Sequence, residues 1–544
     1  MRKFVSNLNV LTYSIFGFLF WHLAKEMLQT KSDGWYVGQV NLYGDLVFHL
    51  SLITKFLAND NVLIDNPIYA SDKVNYPIVA DFITAQVARF TGIDFALFIT
   101  TFTVGIITLI VAKMFIINFV RNNKVVFLSF LLFFLNGGFG FYYLFKDYAV
   151  SQKAPLDFLL NLPRQYTDIK ELGYWWINSY LAYFLPQRSF LFAFPITLVI
   201  LLLIYRGFKK TNLYLFALAG ILAGILPIVQ AQSLFVLFLL CLYFAPVSFL
   251  FSKEKKKLTL CWAVFGLLTI AIALPLFNLI SSVHNPLSFI KYSPGWTSKE
   301  NIVWFWFKNL GLFAPLLVIS IAWLYKKKQL FILYIPFLII FVLSNIYIFQ
   351  PWDFDNSKLL IYWYFASCIA VGYFLYENFF QTGVFKKSLG IILVFIMILS
   401  GSIDIFRTFT KPTSYQIYSN EDLQIAESVK RLTPPESVFT TGTNHNNPIP
   451  TLAGRSTILG FPGWVWSHGI DYQERQNDVM QIYLGESNAE DLIKKYNVHF
   501  VTVGPQEKVE FSINLSYFNR YPQIKLDSDW ALYDVSSLWT NSNR

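Results

Sequence analysis

A carboxylate and an imidazole stand four residues apart in the string Tyr43-Gly44-Asp45-Leu46-Val47-Phe48-His49. On a helix that spacing puts Asp45 and His49 on one face. A carboxylate so placed can act as general base on an incoming hydroxyl. The same aspartate could instead cap a helix N-terminus, a position that Asp often fills.

A second polar string, Gln350-Pro351-Trp352-Asp353-Phe354-Asp355-Asn356-Ser357-Lys358, carries two carboxylates, an amide and an ammonium. Such a set can bind a metal ion, a sugar or a phosphate. Its plainer reading is a capped turn in which Asp355 starts the next helix. Arg188, in Pro186-Gln187-Arg188-Ser189, can hold a phosphate bidentately and stays charged. Lys358 is a second cation of that kind. For both, the competing role is snorkelling at a membrane interface. Near the C-terminus, His445 lies in Thr443-Asn444-His445-Asn446-Asn447. Trp464, Trp466, His468 and Asp471 lie in Phe461-Pro462-Gly463-Trp464-Val465-Trp466-Ser467-His468-Gly469-Ile470-Asp471. Rings, imidazoles and amides at this density could bind carbohydrate by stacking and hydrogen bonding, or dock one part of the protein on another.

The elements that must position these groups belong to a membrane protein. Of 544 residues, 55% are hydrophobic and only 14% charged, against about 25% charged in an ordinary soluble domain. Mean hydropathy is +0.47. These figures exclude a disordered chain, a coiled coil, a nucleic-acid-binding domain and a cytosolic enzyme. Cys241, Cys261 and Cys368 all fall in apolar runs, so no disulfide framework is expected. No phosphate-binding glycine loop, dinucleotide fingerprint, metalloprotease helix or nucleophile elbow is present, which argues against ATP-driven work.

Runs near 8–28, 94–119, 126–145, 189–205, 213–229, 233–251, 258–280, 309–325, 330–349, 359–377 and 389–405 are each apolar enough to span a bilayer. Basic residues gather in alternate connections: Arg2 and Lys3; Arg121 and Lys124; Arg206, Lys209 and Lys210; Lys253 and Lys255 to Lys257; Lys326 to Lys328; Lys386 and Lys387. The positive-inside rule then predicts about 11 transmembrane helices, N-terminus inside and C-terminus outside, in a cytoplasmic (plasma) membrane. Residues 1–405 form the transmembrane module, with long outer loops at 29–93 and 146–188. Residues 43–58 and 75–92 read as interfacial helices of the first loop. Residues 406–544 alternate short helical and extended patterns and form a small extracytoplasmic α/β domain.

With these residues and this topology, the chain resembles the GT-C superfamily of membrane glycosyltransferases. Members place an Asp early in the first outer loop, where Asp45 stands, and many carry acidic residues in the next large loop, where Asp147 and Asp157 stand. The strings at 185–190, 351–358 and 462–472 also resemble those of a bacterial group of polytopic proteins without an assigned reaction. The resemblance implies a polyprenyl-phosphate-linked sugar donor that enters from the membrane lipids. The acceptor is a glycan, lipid or protein hydroxyl, and no nucleic acid takes part. Asp45, assisted by His49, would serve as base. Arg188 and Lys358 would hold the donor phosphate, Asp353 and Asp355 would sit beside it or hold a divalent metal, and Trp464, Trp466, His468, Asp471 and His445 would bind sugar or acceptor. The alternatives are a lipid or glycan flippase or transporter, and a non-catalytic glycan-binding membrane assembly protein. Charged residues deep in the spans or inverted repeats would favour transport, and the sequence shows neither.

Overall fold

The computed structural model describes residues 2–59, 61, 64–282, 289–410, 414–527 and 529–540. They form two compact units: Met1–Lys25, Thr101–Leu276 and Leu287–Thr413 in the first, and Glu26–Thr100, Phe277–Pro286 and Ser414–Arg544 in the second. A division at 405/406 separates the chain by composition, whereas these units group residues by packing.

Six helices among the described residues are long and apolar enough to cross a bilayer: Ile93–Val120, Arg188–Lys210, Leu226–Phe251, Lys255–Ile280, Asp353–Phe380 and Val384–Thr410. A seventh is a bent pair, Ile302–Leu310 and Phe313–Leu324, at 99°. The protein is thus a multi-pass helical membrane protein with a smaller sheet-bearing part. Leu267, Ile270 and Leu274 on one long helix, and Ile391, Ile392 and Phe395 on another, are more than half exposed, as lipid-facing residues should be.

Three of the expected spans are not single helices, the run at 213–229 among them, which ends one helix at Gly224 and starts the next at Leu226. The run at 126–145 stops at Phe134 and restarts at Phe141. Asn136 and two glycines intervene, and the buried Asn136 amide spends its groups on Ser179 N (2.7 Å) and Ile177 O (3.2 Å). Twelve helical residues reach about 18 Å, short of the roughly 30 Å hydrocarbon core. The run at 309–325 breaks at Gly311, whose φ of +60° is left-handed. Asn309 fixes that corner by accepting from Trp175 N (2.8 Å) and Trp176 N (2.9 Å).

At the centre of the first unit lies the helix Ser357–Leu375, buried over nearly its whole length. Trp363 stacks on Phe341 at 4.1 Å, Phe133 and Phe194 meet Phe365 edge to face, and Tyr362 meets Phe194 at a tilt. Such aromatic packing adds specific geometry to apolar burial.

The second unit holds two sheets. One has the strand order Ser456–Thr457, Val438–Thr440, Phe500–Val503, Ala531–Asp534, Gln523–Lys525, parallel on its first side and antiparallel on its last. Helices Asn420–Leu432, Gln473–Leu484 and Ala489–Lys495 accompany it, much as the alternating pattern of the tail predicts. The other sheet pairs Gln29–Lys31 with Gly34–Val37 and that strand with Tyr415–Ser419. The start of the first long loop and the start of the tail therefore share a ladder.

The helix Val40–Ala58 is not an interfacial helix as its composition suggests. Twelve of its residues, Leu42 and all of Leu46 to Phe56, are buried. A helix apolar on all sides belongs inside a protein, and here its polar groups find partners there. Gly454 (φ +66°) approaches so closely that a Cβ would lie 2.5 Å from Thr54 O. Thr54 Oγ1 donates to Thr451 O at 3.2 Å, and Lys55 Nζ donates to Ser456 Oγ at 2.9 Å.

Burial lowers the Lys55 amine to about 8 from 10.5. Between those values the unfolded chain holds the proton and the folded chain releases it, so stability rises with pH in that window. Below about pH 8 the folded protein carries the buried charge at full cost. Replacing Lys55 by Met is therefore expected to raise stability at pH 7 by on the order of 2 kcal/mol. Thermal unfolding of the purified protein checks this: the gap between variant and parent should narrow from pH 8 to pH 10. A Lys55→Met protein less stable than its parent at pH 7 contradicts it.

Candidate active site

The helix Val40–Ala58 begins after Gln39, which has extended backbone and makes no side-chain cap. Asp45 consequently sits in the second turn and is not an N-cap, so the plainer reading of this aspartate does not apply. The residue is half-buried. A Cβ placed on the adjoining Gly44 would meet nothing within 4 Å, so the helix is open at Gly44.

One turn further on, His49 is buried, and its Nδ1 bonds Asp81 Oδ2 at 2.8 Å, with side chains 2% and 0% exposed. Asp81 comes from the helix Val79–Thr91. A carboxylate on one ring nitrogen fixes the orientation of the imidazole. Asp45 and His49 do share the helix, but His49 turns inward to a partner that sequence reasoning missed. The signal was available: Asp81 is an acidic residue among the apolar positions of an amphipathic stretch.

Rings surround this pair. Phe48 lies 4.8 Å from Tyr76, 4.8 Å from His468 and 5.5 Å from Trp464, centroid to centroid. Tyr76 is 5.0 Å from His468 and 5.7 Å from His49. Tyr43 is 4.7 Å from His445, which in turn is 6.4 Å from Trp464. Burial holds the His445 imidazole below its ordinary pKa, which favours the neutral form, able to donate from one nitrogen and accept at the other. Of the predicted sugar-binding residues, the structure therefore brings His445, Trp464 and His468 to the helix that bears Asp45. Trp466 is 47% exposed. Asp471 closes an exposed turn, with Oδ1 accepting from Gln473 N at 3.0 Å and its carbonyl accepting from Tyr69 OH at 3.1 Å. Tyr43, Phe48 and Tyr76 were missed because single rings in an apolar sequence carry no distinguishing pattern.

The other candidates belong to the first unit. Arg188 opens the helix Arg188–Lys210 and is 1% exposed, with Nη1 donating to Thr101 Oγ1 at 3.2 Å. Lys358 Nζ pairs with Asp355 Oδ2 at 3.0 Å, both nearly buried. Asp353 and Asp355 lie on one 3₁₀ turn, Asp353–Asn356. That turn is held by Asn356, which accepts from Phe349 N (3.0 Å) and donates to Ser344 O (3.0 Å) and Tyr347 O (2.7 Å). Trp296 Nε1 donates to Asp353 O at 2.8 Å. Among the described residues no three or more His, Cys, Asp or Glu side chains gather as a metal would require. In the second long loop, Asp147 receives Arg164 through two nitrogens, at 2.6 and 2.8 Å, and Tyr166 OH at 3.1 Å. The guanidinium holds Asp147 below the usual carboxylate range.

Fold and site together define a multi-pass membrane protein whose second unit carries a half-buried carboxylate on a helix that also meets clustered rings and imidazoles. No family model and no curated protein matches the chain. It is similar to the crystal structure of ArnT from Cupriavidus metallidurans in the apo state, with 11% identity, a TM-score of 0.49, and coverage of 98% of this chain and 99% of that one. It is also similar to ArnT from the same organism bound to undecaprenyl phosphate, with 10% identity, a TM-score of 0.46 and the same coverage. Neither likeness assigns an activity, donor or acceptor to this chain.

Removing one partner of the His49–Asp81 pair leaves a buried polar group unsatisfied, which costs roughly 1–3 kcal/mol. Asp81→Asn and His49→Gln are each expected to lower the unfolding midpoint. Because the two residues share one interaction, the double variant should lose less than the sum of the singles. Strict additivity in that cycle contradicts a direct pair.

Proposed function

We propose that this protein is a GT-C-type membrane glycosyltransferase that moves a sugar from a polyprenyl-phosphate donor to an acceptor hydroxyl on the outer face of the membrane. The observation that carries this reading is Asp45: a half-buried carboxylate in mid-helix, on the same helix whose Tyr43 and Phe48 meet His445, Trp464 and His468. Capping does not account for an aspartate there, and a sugar-transfer base needs such surroundings.

In this reading the Asp45 carboxylate takes the proton of the acceptor hydroxyl. The oxygen attacks the anomeric carbon, the bond from that carbon to the phosphate oxygen breaks, and the lipid phosphate leaves with its electron pair. Direct displacement inverts the anomeric centre. Aromatic faces such as Trp464 stack on the sugar, while His445 and His468 bond hydroxyl groups. Arg188 is the cation that the sequence reading assigns to the charge growing on the departing phosphate. Lys358 is the weaker candidate because Asp355 already neutralises it, and a divalent ion at Asp353 and Asp355 would have to displace that ammonium. His49 acts as a positioning residue for the helix, not as a second base. In this reading residues 406–544 lie on the outer face of the plasma membrane, where donor sugar and acceptor meet.

Complementation of a deletion strain tests the reading. Mass spectrometry of cell-envelope glycans and lipids should show a sugar that is lost on deletion, restored by the parent gene and not restored by Asp45→Asn expressed at equal level. General-base loss predicts at least about a hundredfold drop. Full restoration by Asp45→Asn removes Asp45 as base. An unchanged envelope on deletion removes glycosyl transfer.

A further inference from the structure

The first unit contains a cleft of about 600 Å³ whose wall is almost wholly apolar, formed by helices that include Ile93–Val120, Arg188–Lys210, Leu226–Phe251 and Ser357–Leu375. Phe115, Leu201, Phe244, Phe337 and Ala370 line it. Its volume equals about twenty water-sized volumes of about 30 Å³ each, the room that one straight acyl tail of sixteen to eighteen carbons takes up. A polyprenyl chain of many isoprene units does not fit in it.

Ser248, Trp262 and Tyr334 put a few polar atoms in the wall, and the exposed Lys328 and Gln329 with Tyr205 form a polar rim, in which Gln329 Nε2 donates to Tyr205 OH at 3.2 Å. Lys209 Nζ stands 4.4 Å from the Tyr205 ring, and Lys327 Nζ stands 6.0 Å from the ring of Tyr373, another wall residue. Phe251, at 61% exposure, leaves the wall open to the surroundings. Lys209, Lys327 and Lys328 belong to segments that charge asymmetry places on the cytoplasmic side. Basic pockets between helices at that surface suit anionic lipid headgroups.

We infer that this cleft is a binding site for an anionic diacyl phospholipid of the inner leaflet, with one acyl tail in the apolar wall and the phosphate at Lys209, Lys327 and Lys328. Tail volume and rim charge select the ligand jointly: a neutral lipid lacks the anion, and a long polyprenyl phosphate overfills the cleft. The site is independent of the transfer reaction proposed above.

The test uses the full-length protein in nanodiscs of equimolar phosphatidylglycerol and phosphatidylcholine, followed by native mass spectrometry. The parent should retain one phosphatidylglycerol, at least tenfold over phosphatidylcholine. Ala370→Trp, which fills the wall, should lose it. The double variant Lys209→Glu/Lys328→Glu changes only exposed side chains, so the test survives if the wall variant does not fold, and it should retain both lipids equally. Equal retention by the parent, an unchanged adduct in Lys209→Glu/Lys328→Glu, or retention of added polyprenyl phosphate in place of the diacyl lipid overturns the assignment.

Discussion

The bond between His49 and Asp81 is the constraint on which the candidate site rests. Both side chains are buried, and an imidazole or carboxylate buried without a partner would cost several times the stability a single contact supplies. Successive helical residues are turned by about a quarter of a circle or more, so a slip of one residue in the Val40–Ala58 helix would bring Phe48 or Leu50 to face Asp81 and break the pair. The pair thus sets the rotation of the helix. Gly454 against Thr54 and Lys55 on Ser456 set its depth. Asp45 inherits its half-buried position from all three.

Much of the architecture was legible from the residues. Long apolar runs can be satisfied only as helices in a bilayer, and the tail's helices and strands followed from short-range pattern. Breaks in the runs were harder to see. Asn136-Gly137-Gly138 and Gly311 look like tolerable interruptions in a hydropathy window, yet each ends a helix, because the buried amides of Asn136 and Asn309 satisfy backbone elsewhere. The burial of Val40–Ala58 was misread because polar residues on a greasy helix suggest a water-facing edge. Inside a protein the same residues can be matched pairwise, and the match, Asp81 for His49, lies 32 positions away.

The candidate site shows the same division. Asp45, His445, Trp464 and His468 were identifiable by type, since carboxylates, imidazoles and indoles in a membrane protein stand out against aliphatic residues. Their neighbours Phe48 and Tyr76 were not, although the ring contacts run through them. Lys358 and Asp355 were read as two independent groups and are one ion pair, three residues apart on successive turns. One acidic residue of the second loop, Asp147, serves Arg164 and Tyr166. In an apolar chain charged groups tend to be committed to one another, and Asp45 differs from Asp81 in being half-buried where Asp81 is shut in completely.

Carbodiimide labelling of the intact protein, read by peptide mass spectrometry, measures that distinction directly. Asp45 should be modified readily at near-neutral pH, while Asp81, shut in against His49, should stay unmodified until the protein unfolds. Equal labelling of the two carboxylates, or an inert Asp45 in folded protein, would contradict the account.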